Sequence, residues 1–209
     1  MIRWDAQMKS NICILNSDAK TLTNALDEVE KVARYNDLTE KETKTLRLLA
    51  EELIGMEKGI LGIRVGEFYV ENEGKKEKEY KLHLISEITL DLEEQDRFME
   101  LSSSGKNEAY KGFSGKMKEI ATMFLSEPAG AVRPYDPTYM CVPGAYMTYG
   151  IDSSFDYAWT MQSYMQASMN DVNKWDELEK SVVAKYADDI VVGVTNKKVE
   201  IIVVKDFAK

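Results

Sequence analysis

Two pairs of strand-like stretches, each joined by a short charged link, constrain this chain most. Residues 63–71 and 79–92 alternate around Asn72-Glu73-Gly74-Lys75-Lys76, and the apolar runs 190–195 and 199–204 flank Asn196-Lys197-Lys198. Alternation puts one face of a strand toward a core, and a link this short returns the chain antiparallel, so the pattern predicts two β-hairpins. Each hairpin follows a helical stripe. Leu22, Leu26, Val29 and Ala33 recur at spacings of four, three and four, which predicts a helix over 19–35 after a short strand at 11–15. Thr39 with Glu42 three residues on forms a capping box, and Leu46, Leu49, Leu53 and Met56 follow on one face. Leu48, Ala50, Ile54 and Ile60 widen that face, the mark of a largely buried helix. Trp175, Leu178, Val182 and Tyr186 predict a further helix before the last hairpin. The order is that of an α+β layer fold with helices on one face of one sheet.

Composition narrows the function. A net charge of -9 repels phosphate backbones, which argues against nucleic acid as a partner. No run approaches the roughly eighteen apolar residues of a membrane span, and the N-terminus lacks an apolar leader, so the chain reads as cytoplasmic and not membrane-bound. The one histidine, His83, removes every His-pair metal site, and no metal site is expected. Alternation places His83 beside Lys81, opposite Tyr80, Leu82 and Leu84, as a solvated or half-buried strand residue. Cys13 and Cys141 have no metal-ligand spacing, and Cys13 lies in an apolar run where a small buried thiol is expected.

Length fits a single domain over 1–209, with 128–172 as a distinct insertion. That segment holds all four prolines, has Arg133 as its only base and contains no glutamate. Its aromatic and methionine residues include Tyr157, Trp159, Met161, Tyr164 and Met165. On a helix over 153–169 these side chains fall on two sides, more than one neighbouring layer covers. The segment therefore either completes the core, or forms a contact surface for a protein partner or a second copy, or lies as a lid over a pocket.

Glu100 to Asn107 fails as a phosphate-binding loop, since Glu100 stands where glycine is needed and Asn107 replaces the magnesium-holding hydroxyl. Gly112-Phe113-Ser114-Gly115-Lys116 is a better anion site, because free backbone N–H groups at a helix start and a nearby lysine attract phosphate. The run Leu46-Arg47-Leu48-Leu49-Ala50-Glu51-Glu52-Leu53-Ile54-Gly55-Met56, taken with the element order, resembles the second helix of the GHKL, or Bergerat-fold, ATPases. The likeness is strongest to bacterial anti-sigma-factor serine kinases and histidine-kinase catalytic domains, and it covers 11–92 and 175–204.

The resemblance implies a two-layer α/β sandwich of the histidine-kinase-like ATPase type, with a mixed sheet, helices on one face and the insertion at the lid position. It matches Glu52 to the catalytic glutamate and Asp91 to the aspartate that reads adenine. Gly112 and Gly115, with Lys116 beside them, match a remnant of the second glycine box. Met56 falls where the family has its magnesium-binding asparagine, and a thioether is no ligand for that hard cation. After Asp91 the family's two glycines give way to Leu92-Glu93-Glu94-Gln95. The expectation is a regulatory, protein-interaction domain that binds nucleotide weakly or not at all and needs no cofactor. The alternatives are an active ATP-dependent kinase or ATPase that uses ATP and magnesium, with Glu52 as general base, and a small-molecule binding protein.

Overall fold

The computed structural model describes residues 8–16, 18–60, 66–72, 78–87, 145–147, 157–162, 182–195 and 198–208. Helix α1 spans Ala19–Tyr35, as its stripe predicts, and buries Ala25, Leu26, Val29, Val32 and Ala33. Asp18 caps it from an extended backbone, its carboxylate accepting the Lys20 N–H at 3.0 Å. The helix stops at a left-handed residue, Asp37, with φ of 55°. There the Leu38 N–H reaches Ala33 O and the Asp37 N–H reaches Arg34 O, the paired closure that satisfies the last carbonyls of a helix. Aspartate tolerates that conformation better than a branched residue would.

Helix α2 spans Glu40–Ile60. The capping box forms: the Glu42 N–H donates to Thr39 Oγ1 at 3.3 Å, and the Thr39 N–H donates to Glu42 Oε2 at 2.7 Å. Lys78, at the start of a distant strand, donates to the other Glu42 oxygen at 2.9 Å and ties this helix end to the sheet. The Lys78 ammonium, and then the Thr39 bonds, hold the Glu42 carboxyl down at about 2 against an ordinary 4.5. A carboxyl depressed in the folded state stabilises it above the unfolded value, and that contribution fades as the pH falls from about 4.5 toward 2. Glu42→Ala should therefore lower stability by about 1 kcal/mol at pH 7, and urea midpoints measured near pH 2 should show the gap closing. An equal deficit at both pH values would mean that the charge is not its source.

The described strands are β1 (Met8–Lys9), β2 (Cys13–Leu15), β3 (Gly66–Asn72), β4 (Glu79–Glu87), β5 (Ala145–Met147), β6 (Tyr157–Thr160), β7 (Asp189–Thr195) and β8 (Lys198–Asp206), with the short helix α3 (Val182–Tyr186) before β7. They form one sheet in the order β1-β3-β4-β8-β7-β6-β5, and β2 shares the outer edge of β3 with β1. Both predicted hairpins are present, as β3-β4 and β7-β8. The mixed sheet implied by the family resemblance is not what the described strands form: every ladder among them is antiparallel. Short links make hairpins, whereas a parallel neighbour needs a crossover of a dozen or more residues. What stands is an α+β fold with an antiparallel sheet.

One face of the sheet meets the helices. Phe68, Leu84, Ile201, Val192 and Trp159 lie in register across β3, β4, β8, β7 and β6, and Val70, Leu82, Val203 and Ile190 form the next row. All are 1% exposed or less and join Leu46, Leu49 and Leu53 of α2 in one core. On α3 it is Val183 that is fully buried, while Val182 is half-buried and Tyr186 is 42% exposed, so the predicted Val182–Tyr186 stripe is displaced by one residue. Cys13 is half-buried against the core, and burial pushes its thiol pKa up.

The aromatic segment departs most from expectation. Residues 157–160, predicted helical, form the strand β6, and Trp159 and Met161 are buried in the chain's own core at 0% and 4% exposure. The register explains this, because Trp159 pairs with Val192 on β7 and points to the helix side, where alternation needs only one covered face. Neither side chain is left open on the surface of the single chain, where a contact residue was expected. The side chain of Tyr157 and the whole of Tyr164 and Met165 lie outside what is described.

Candidate functional site

Of the residues that the family resemblance points to, Glu52 is the one whose side chain is described. Glu52 lies on α2 and is exposed at its edge. Its neighbour Glu51 lines a shallow cleft of about 90 Å³ between α2 and the turn from β2 into α1. Leu15, Leu22 and Ile54 form the apolar floor of the cleft, and Asp18 and Glu51 are its charged lining residues. Asp18 is already engaged in capping α1. Glu51 faces the Arg47 guanidinium at 3.6 Å, and Arg47 also pairs with Glu30 of α1. Met56 has no described side chain, and Asp91, Gly112, Gly115 and Lys116 fall outside the described residues. Among the described residues, no group of three or more histidine, cysteine or carboxylate side chains is arranged to hold a metal ion.

A second polar constellation occupies the sheet face opposite the helices. Cross-strand partners Tyr69 and His83 stack with ring centroids 4.4 Å apart and planes 11° apart. The Lys9 ammonium sits 3.5 Å from the Tyr69 ring centroid on β1's side, and it pairs with Glu71 at 3.6 Å. His83 Nδ1 lies 2.6 Å from Glu200 Oε1, and Nε2 lies 3.5 Å from Glu71 Oε2 without hydrogen-bond geometry. The Tyr69 hydroxyl also donates to Glu200 at 3.5 Å. Burial, and after it the charges of Glu200 and Glu71, push this phenol well above its ordinary pKa, which unsuits it to give up a proton near neutrality.

His83 stands on the predicted face but is only 6% exposed, not solvated or half-buried, because Tyr69 stacks on it and Glu200 closes over Nδ1. Sequence reasoning missed Glu200 as its partner, because the β4-β8 pairing that brings Ile85 opposite Glu200 leaves no local trace. The cluster braces β1, β3, β4 and β8 across the sheet. Glu200→Ala leaves a buried ring nitrogen unpaired and should cost about 1–3 kcal/mol in a urea melt. A variant as stable as the parent would show that the brace contributes nothing.

Among the described residues the large apolar side chains left open are Ile12 at 51%, Ile14 at 52%, Tyr35 at 61% and Tyr186 at 42%. No described helix is long and apolar enough to cross a membrane. The fold defines the class, an α+β protein with an antiparallel sheet and helices packed on one face. No protein-family model matches the chain, and no curated protein or solved structure matches it.

Proposed function

We propose that this chain is a cytoplasmic regulatory domain of histidine-kinase-like ATPase descent, acting through contacts with a protein partner or a second copy of itself rather than by turning over ATP. The observation that carries the reading is the size and charge of the cleft lined by Glu51 beside α2. At about 90 Å³ it falls well short of the ~300 Å³ or more of a small-molecule site, and its charged lining residues are both acidic. Acidic walls oppose a triphosphate, and the methionine at position 56 supplies no oxygen for the magnesium that would offset them. The likeness of the α2 sequence to the family's glutamate helix supports the descent.

Isothermal titration with ATP and magnesium tests the proposal. The expected outcome is no saturable heat at up to about millimolar nucleotide, where binding would still be worth about 4 kcal/mol. A magnesium-dependent isotherm that disappears in Glu52→Ala or Asp91→Ala would replace the proposal with the divergent kinase. Light scattering across a concentration series tests the self-association arm, with a rise in mass expected if the contact is between copies.

A further inference from the structure

We draw no further inference here: the strongest candidate, the outer edge of the sheet at β2, where Ile12 and Ile14 are about half exposed, carries nothing because nothing in the structure shows what covers it.

Discussion

Replacing Trp159 with alanine should lower the unfolding free energy by about 3–5 kcal/mol, the range for truncating a large aromatic side chain in a packed core. Trp159 is fully buried, and its row of in-register neighbours runs through Val192, Ile201, Leu84 and Phe68. Losing the indole opens a void that strands hydrogen-bonded on both sides cannot collapse to fill. Urea unfolding followed by far-UV circular dichroism gives the number. Because a domain of this size is stabilised by roughly 5–15 kcal/mol, the variant should stay folded in buffer but melt early. The result discriminates between two roles for the aromatic segment. A variant of unchanged stability but reduced mass in solution would return Trp159 to a contact surface.

Leu53→Ala should cost about 2–5 kcal/mol. Leu53 is fully buried and shares a core with Leu49 and Leu46, one and two turns earlier on α2, while Val203 and Leu82 contribute the facing sheet surface. Glu52→Ala, one residue away and exposed, supplies the control. It should shift the urea midpoint by less than about 0.5 kcal/mol equivalent, as exposed substitutions usually do. If Leu53→Ala and Glu52→Ala unfold alike, the buried face of α2 has been misassigned.

What could be read from the sequence follows from how local each signal is. The bounds of α1, the capping box of α2 and both hairpins rest on periodicity and turn chemistry within a few residues, and the structure places them where those signals lie. The strand at 157–160 was hidden because Tyr157, Trp159 and Met161 fit either a helix or a strand, and only the neighbour β7 decides between them. The order of the strands beyond each hairpin and the His83–Glu200 contact were hidden for the same reason, since both join segments far apart in the chain. For the candidate site, the sequence pointed to Glu52 on α2, whereas the cleft beside that helix is lined by its neighbour Glu51. Adjacent helix residues stand about 100° apart, so a motif that reaches a helix does not choose between two neighbouring glutamates.

The place of β8 has a consequence for how the chain acquires its structure. β8 lies between β4 and β7, and its nine-residue register with β4 joins segments on the order of a hundred residues apart. During synthesis α1, α2 and the first hairpin emerge early, and one lateral edge of β4 waits without its partner until the final hairpin is made. An open strand edge of this kind invites pairing with other nascent chains, which makes the interval before β8 arrives the period of greatest aggregation risk.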